Sequence, residues 1–211
     1  MMRSAPCSRH PTTAPSPTMP APKTTHVLPA STCVVFGAGM VGLGAVVGCR
    51  LQKADRIICV DLSDERLAMA RDHGATDTWH GGPDIVERIL EETGGFGADY
   101  TFEATGLVQV MRQAVEAARM GWGVCCIAGV AGAGETVDIV PRFLITGRRV
   151  MGASFGGVKG RDQVPQLVDR YLAGDIDVDS FISHKIALEE INRGFDLMHH
   201  QDGIRTVIQY A

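Results

Sequence analysis

The feature that most constrains this chain is a glycine-rich turn between an apolar segment and a helical pattern. Residues 33–36 are β-rich and apolar, and a helical pattern covers 40–52. In such a strand–turn–helix the first glycine permits the tight turn, the second lets a phosphate approach the backbone, and the third lets helix and strand pack closely. The pattern predicts a dinucleotide-binding turn, with an ordinary structural turn as the alternative. The residues of the turn are Gly37, Ala38, Gly39, Met40, Val41 and Gly42.

An acidic residue follows at a suitable distance. Asp61 ends the next β-rich segment, 56–60, and lies 19 residues after Gly42. A carboxylate at this spacing accepts hydrogen bonds from the adenosine ribose of a bound dinucleotide. The alternative for Asp61 is an N-cap of the next helix, a role that Ser63 is also suited to fill. Arg66, one turn into that helix, is predicted either to reach the ribose or adenine, or to be a solvated charge.

The rest of the sequence after residue 31 alternates between short β-rich segments and helical patterns. This alternation predicts a parallel sheet covered by helices on both faces, the doubly wound α/β (Rossmann) fold. In such a fold the loops at the carboxyl ends of the strands line the ligand site, so Thr105, Gly106 and Gly129 are predicted beside the nicotinamide. The predicted strands are 33–36, 56–60, 99–104, 123–130 and 149–155, and the predicted helices are 40–52, 64–73, 83–93 and 107–120.

Two segments flank this domain, predicted to span 32–157. Residues 1–31 hold seven of the ten prolines and no Asp or Glu, which predicts a disordered leader. After Gly157 the pattern predicts a helix over 162–173, a strand over 181–186, a helix over 188–200 and a strand over 204–210. Two strands do not form a sheet with its own core, so 158–211 is predicted to be the C-terminal segment of another domain.

Composition excludes several classes of partner. A net charge of −4 offers no attraction for nucleic acid or an anionic membrane surface, and no apolar segment is long enough to span a bilayer.

The six cysteines include no Cys-x-x-Cys pair, and four lie in predicted strands. They are therefore predicted to be small buried side chains in a reducing cytoplasm, where disulfides are rare.

From Ser31 onward the chain resembles the coenzyme-binding half of the zinc-dependent medium-chain alcohol dehydrogenases, above all the S-(hydroxymethyl)glutathione dehydrogenase branch. The resemblance implies that Asp61 and Arg66 hold the adenosine ribose of NAD. It also implies that backbone groups of Val130 and Phe155 contact the nicotinamide carboxamide and that Arg205 reaches the pyrophosphate. The similar segments are STCVVFG at 31–37, FEATG at 102–106, GWG at 121–123, TGR at 146–148, FGG at 155–157 and IRTV at 204–207.

The same resemblance implies a catalytic zinc ion in the full-length enzyme. Full-length members of the family begin with a catalytic domain that carries the zinc ligands, and here the proline-rich leader stands in its place. Cys7 and His10 are the nearest candidates but lack a third ligand. His184, His199 and His200 are predicted to be surface or core residues. No catalytic or metal-binding residue is therefore predicted, and the isolated chain is expected to be inactive towards alcohols.

The sequence allows three interpretations of the chain. It is the NAD-binding half of an alcohol dehydrogenase, a stand-alone dinucleotide-binding and dimerising module, or a half whose catalytic part a separate chain supplies. The family resemblance implies a homodimer formed through residues 137–155, or pairing with a full-length relative. Because Asp61 is acidic and Leu62 follows it, NAD is expected to bind better than NADP.

Overall fold

The computed structural model describes residues 27–200 and 202–210. Cys7, His10 and most of the predicted leader lie outside these residues. The last residues assigned to the leader pack against the domain, because Val27 is buried in the core. Ala30 donates a backbone hydrogen bond to the Lys53 carbonyl (3.0 Å), and the Ser31 hydroxyl donates to the Leu28 carbonyl (2.6 Å). The packed domain therefore begins before the predicted boundary at residue 31.

Six parallel strands form the central sheet, in the order β3-β2-β1-β4-β5-β6. The order reverses between β1 and β4, so the two halves of the sheet diverge there and leave a crevice at the carboxyl ends of the strands. This topology confirms the predicted doubly wound α/β fold. The strands are β1 (Thr32–Phe36), β2 (Arg56–Asp61), β3 (Asp77–His80), β4 (Tyr100–Glu103), β5 (Val124–Ile127) and β6 (Arg149–Gly152).

Helices cover both faces because alternate strand residues point to opposite sides of the sheet. Cys33 and Val35 of β1 pack in one core with α1 and α2, whereas Val34 and Phe36 pack in a second core with α3 and α4. The continuous apolar sequence of β1 therefore reflects burial on both faces. The helices of this domain are α1 (Met40–Leu51), α2 (Asp64–Asp72), α3 (Ile85–Glu92), α4 (Val108–Ala117) and the short α5 (Pro141–Ile145).

The structure differs from the sequence prediction at three strands of this sheet, and the one predicted over 123–130 ends at Ile127. β3 was not predicted, since its four residues, Asp-Thr-Trp-His, are mostly polar, but Trp79 is buried in the second core. The predicted strand over 149–155 ends at Gly152. It ends there because Phe155 and Gly156 adopt positive φ angles of 50° and 65° in a 3₁₀ turn, a conformation that a strand does not allow.

The C-terminal segment contains α6 (Gly160–Leu172), β7 (Ile182–Ile186), α7 (Ile191–His199) and β8 (Arg205–Ile208). β7 and β8 pair in parallel as a separate two-stranded sheet. Ile176 and Phe181 anchor the segment by entering the core beside α1 and α2. Its helices nevertheless expose apolar side chains to solvent, including that of Leu172, a residue that is 75% exposed.

The five cysteines among the described residues are all buried. Burial raises the pKa of Cys59 and of Cys126 to about 12, so both thiols keep their protons at neutral pH. This confirms the prediction that they act as small apolar side chains. Within the described residues, no helix is both long and apolar enough to cross a bilayer.

Candidate functional site

The glycine turn connects β1 to α1 at the point where the strand order reverses. Gly37 has a φ of +93°, which strongly favours glycine, and its N–H donates to the Val60 carbonyl at 2.7 Å. A Cβ on Gly42 would overlap the carbonyl oxygen of Gly37, so this position requires the close approach that only glycine permits. A Cβ on Gly39, by contrast, would meet no described atom within 4 Å. Gly37 and Gly42 therefore build the turn, while Gly39 borders open space.

That open space lies at the positive end of α1. Gly39 is the N-cap residue and provides no side-chain hydrogen bond, and the first turn of α1 carries no acidic residue. The N–H groups of the first turn, which include those of Met40 and Val41, have no acceptor within the helix. A phosphate group fits such a position, since the unpaired N–H groups and the helix dipole both favour an anion.

Asp61 contacts the glycine turn directly. Its Oδ2 accepts a hydrogen bond from the Ala38 N–H at 2.6 Å, and its Oδ1 accepts from the N–H groups of Leu62 (2.8 Å) and Ser63 (3.0 Å). The N-cap of α2 is Ser63, whose hydroxyl accepts from the Arg66 N–H at 3.4 Å. The N-cap alternative for Asp61 is therefore excluded. The contact with Ala38 was not predicted, because nothing local in the sequence indicates it.

A cavity of about 730 Å³ opens at this edge of the sheet. It brings together five of the residues predicted for the cofactor: Gly37, Gly39, Asp61, Arg66 and Thr105. Two walls of the cavity were not predicted from the sequence, although the Gly-Gly-Pro segment of the first wall is a recognisable turn motif. These walls are the loop of Gly81, Gly82 and Pro83 after β3, and the α4 side chains Gln109, Val110 and Gln113. The two walls are joined, because Gln113 Nε2 donates to the Gly82 carbonyl at 3.0 Å.

The other predicted residues lie outside the lining of this cavity. Gly106, with a φ of +81°, packs against the backbone of Val130, where a Cβ would come within 2.6 Å of the Val130 oxygen. The side chains of Val130 and Phe155 are 91% and 78% exposed. Arg205 is exposed at the start of β8. Met40, Val41 and Gly42 form the first turn of α1, beside the cavity rather than in its wall.

A catalytic zinc site needs at least three donor side chains that converge on one point. Among residues 27–200 and 202–210, no group of three or more His, Cys, Asp or Glu side chains is placed to hold a metal ion. His184 Nε2 lies 3.3 Å from Asp202 Oδ1, and His200 Nδ1 lies 2.8 Å from the Asp196 carbonyl oxygen. The described residues therefore do not fit a catalytic zinc site.

A comparison of sequences decides the family. A family profile described as zinc-binding dehydrogenase matches residues 40–173. The chain belongs to the zinc-binding dehydrogenase family. It is 47% identical over 190 residues to alcohol dehydrogenase class-3 of Myxine glutinosa, covering 88% of this chain and 50% of that relative. It is 44% identical over 191 residues to S-(hydroxymethyl)glutathione dehydrogenase of Synechocystis sp., covering 89% and 51%.

Solved structures of zinc-binding dehydrogenases and related enzymes share the fold. An alcohol dehydrogenase zinc-binding domain protein from Burkholderia ambifaria superposes with a TM-score of 0.83 at 30% identity, covering 90% of this chain and 51% of that one. Benzyl alcohol dehydrogenase from Acinetobacter calcoaceticus superposes with a TM-score of 0.81 at 29% identity, covering 88% and 51%. The chain thus spans about half the length of the relatives it matches, as the predicted resemblance to one half of the enzyme requires.

Proposed function

We propose that this chain binds NAD and forms the coenzyme-binding part of a zinc-type alcohol dehydrogenase. The observation that carries the proposal is that one cavity joins the open space at Gly39, on the positive end of α1, to the carboxylate of Asp61. A dinucleotide needs both features, because its pyrophosphate is anionic and its adenosine ribose offers two hydroxyl donors.

The proposed placement follows the chemistry of the walls. The pyrophosphate lies over Gly39 and the N–H groups of Met40 and Val41, and one hydroxyl of the adenosine ribose lies at Asp61. Three backbone donors already contact this carboxylate, and its two oxygens together offer about four acceptor sites, which leaves one for a ribose hydroxyl. Arg66 lines the same cavity beside this carboxylate.

The nicotinamide end is proposed to extend over the loops after β4 and β5. In this placement Thr105 and Gly106 lie beside the ring, backbone groups of Val130 and Phe155 contact the carboxamide, and Arg205 reaches the pyrophosphate. The proposed coenzyme domain comprises residues 32–157 together with the packed residues 27–31, and residues 158–211 are proposed to belong to the catalytic domain. These assignments rest on the family resemblance and on the order of the strands, since the carboxyl end of β4 lies beside that of β1, which leads into the glycine turn, and the carboxyl end of β5 lies beside that of β4.

For the complete enzyme we propose hydride transfer from an alcohol to NAD, with S-(hydroxymethyl)glutathione as the candidate substrate, because relatives at 44% identity carry that name. Zinc in such an enzyme lowers the pKa of the bound alcohol. The residues of this chain bind and orient NAD. A stand-alone NAD-binding and dimerising module is the second candidate, favoured by a cavity that joins Gly39 and Asp61 within this chain alone.

The proposal is tested by calorimetric titration of the purified chain with NAD, together with a Gly39→Ala variant. The alanine methyl group would enter open space, so the fold should tolerate it, but it would occupy the place proposed for the pyrophosphate. We expect the wild type to bind and Gly39→Ala to lose at least about tenfold in affinity, the loss of roughly one charge-assisted hydrogen bond.

The control variant is Gly160→Ala. Gly160 also borders open space at the start of a helix, α6, but it does not line the cavity. This variant should bind NAD like the wild type, and both variants should keep its melting temperature. A wild-type chain that fails to bind NAD, or a Gly39→Ala chain that binds equally well, contradicts the proposal.

A further inference from the structure

Glu103, the last residue of β4, is a fully buried carboxylate with an unusual set of partners. Its relative exposure is 0%, in a strand whose other residues are also buried. Its Oε1 accepts three hydrogen bonds, from the Thr105 N–H (2.6 Å), the Thr105 hydroxyl (2.6 Å) and the Gly106 N–H (2.9 Å). A single oxygen therefore bonds the first two residues after Ala104 to the end of β4.

The second carboxylate oxygen faces the next loop. Oε2 is buried and has no hydrogen-bond partner among the described residues. A Cβ on Gly129, after β5, would lie 2.6 Å from Oε2, so only glycine leaves room for the carboxylate there. The Gly129 N–H also donates to the Glu103 carbonyl at 3.0 Å. The residue thus lies between the loops after β4 and β5 and touches both.

The loop that Glu103 holds is a wall of the cofactor cavity. Ala104, Thr105 and Leu107 line the cavity, whereas Glu103 does not. The same loop packs on the glycine turn, since a Cβ on Gly37 would come within 2.8 Å of Thr105 Cγ2. The Thr105 hydroxyl proton is committed to Glu103, so this hydroxyl group is not available to donate to a ligand in the cavity.

We propose that Glu103 is a positioning residue for the dinucleotide: its buried carboxylate holds the loop after β4 against the glycine turn and the loop after β5. The inference rests on the proposed NAD site. A buried ionised group is costly unless hydrogen bonds compensate, and three converging donors on Oε1 supply that compensation. A loop held in its bound conformation before the ligand arrives loses less entropy on binding, which increases affinity.

The test compares Glu103→Gln with a matched control, Thr101→Val. Glu103→Gln keeps the shape but replaces three charge-assisted hydrogen bonds with weaker neutral ones. Thr101 lies two residues earlier on β4, on the same face of the strand, and its buried hydroxyl donates to the Ala114 carbonyl at 2.7 Å, away from the cavity loops. Both variants lose buried hydrogen bonding, but only Glu103→Gln weakens the bonds that hold the loop after β4.

Two readouts separate positioning from stability: the NAD dissociation constant and the hydrogen-exchange rates of the Thr105 and Gly106 amides. Glu103→Gln should bind NAD about tenfold more weakly than the wild type and exchange both amides faster. Thr101→Val should keep wild-type values for both, even at a comparable loss of thermal stability. Thr105→Val, which removes one donor to Oε1, should show a smaller change in the same direction and serves if Glu103→Gln does not fold.

Three outcomes overturn the inference without touching the proposed function. They are wild-type NAD affinity in Glu103→Gln, equal weakening in Thr101→Val, and unchanged exchange of the two amides. If the wild-type chain does not bind NAD at all, the proposed function itself fails, so the two failures are distinguishable.

Discussion

Asp61 Oδ2 accepts a hydrogen bond from the backbone N–H of Ala38 at 2.6 Å, which joins the end of β2 to the middle of the glycine turn. Ala38 is fully buried, so its N–H would otherwise have no access to water. The residue proposed to bind the adenosine ribose therefore also maintains the turn proposed to bind the pyrophosphate. A change at Asp61 is expected to affect both ends of that site.

We expect Asp61→Ala to weaken NAD binding by more than about tenfold, because a charge-assisted hydrogen bond to the ribose and the support of the turn are both lost. The wild type should prefer NAD to NADP, since the carboxylate would repel a 2′-phosphate, and Asp61→Ala should narrow this difference. Calorimetry with both cofactors measures it. Asp64→Asn removes one exposed carboxylate nearby and should leave the preference intact. Equal wild-type affinities for NAD and NADP would contradict the assigned role.

Gly42→Ala should destabilise the fold, whereas Gly39→Ala should leave its stability unchanged. Its methyl group would overlap the Gly37 carbonyl and lie within 3.5 Å of Val35 Cγ1, in a region where α1 and β1 are packed tightly. We expect the free energy of unfolding to fall by about 2 kcal/mol or more, as for other overpacked sites. Urea denaturation measures the change. A Gly42→Ala chain as stable as the wild type would show that α1 can move away from the turn.

The ring contact between His73 and Phe181, 4.7 Å between centroids, should make the attachment of the C-terminal segment sensitive to pH. Burial is the main cause that lowers the pKa of His73 below 6.5, and it outweighs Asp177 and Asp72, which act to raise it, while Arg50 adds to the lowering. The unfolded chain therefore binds this proton more tightly. The contribution of His73 to stability is complete above pH 6.5 and is lost as the pH falls through the folded-state value.

The corresponding experiment measures the free energy of unfolding of the wild type and of His73→Phe between about pH 7.5 and about pH 5. Asp77, whose pKa is lowered chiefly by its hydrogen bond with Arg56, titrates in both proteins and cancels in the difference. The wild type should lose stability more steeply on acidification, and parallel curves would exclude His73 as the cause.

The outer edge of β6 should support a homodimer. β6 ends the sheet, and its outer side has no strand partner among the described residues. Ile145 in the neighbouring α5 is 87% exposed. An open edge beside exposed apolar residues favours two-fold pairing, which buries both.

We expect sedimentation velocity at micromolar concentration to show a dimer, and Ile145→Lys to shift it towards monomer. Leu172→Lys places the same charge on another exposed apolar position, in α6 and outside the predicted interface of residues 137–155, and should leave the dimer unchanged. A wild-type chain that sediments as a monomer would refute the prediction.

The sequence by itself determined the class of fold and predicted the centre of the candidate site. The turn of Gly37, Gly39 and Gly42, its flanking strand and helix, and the acid at the end of β2 all lie within about 30 residues of one another, the length of one βαβ unit. Their conformations are governed by local sterics and by the period of the apolar residues, both of which are visible in a linear sequence. The preference for NAD over NADP follows from the same local signal and awaits its measurement.

Only the tertiary structure decided which other residues complete the site. Asp61 meets Ala38 across 23 positions of chain, and Gln113 meets Gly82 across 31, so neither contact has a local signature. β3 is a strand because Trp79 is buried against its neighbours, although three of its four residues are polar and give no alternating apolar pattern. The donors to the Glu103 carboxylate lie only two and three residues away, but its complete burial and its close approach to Gly129 come from the tertiary packing.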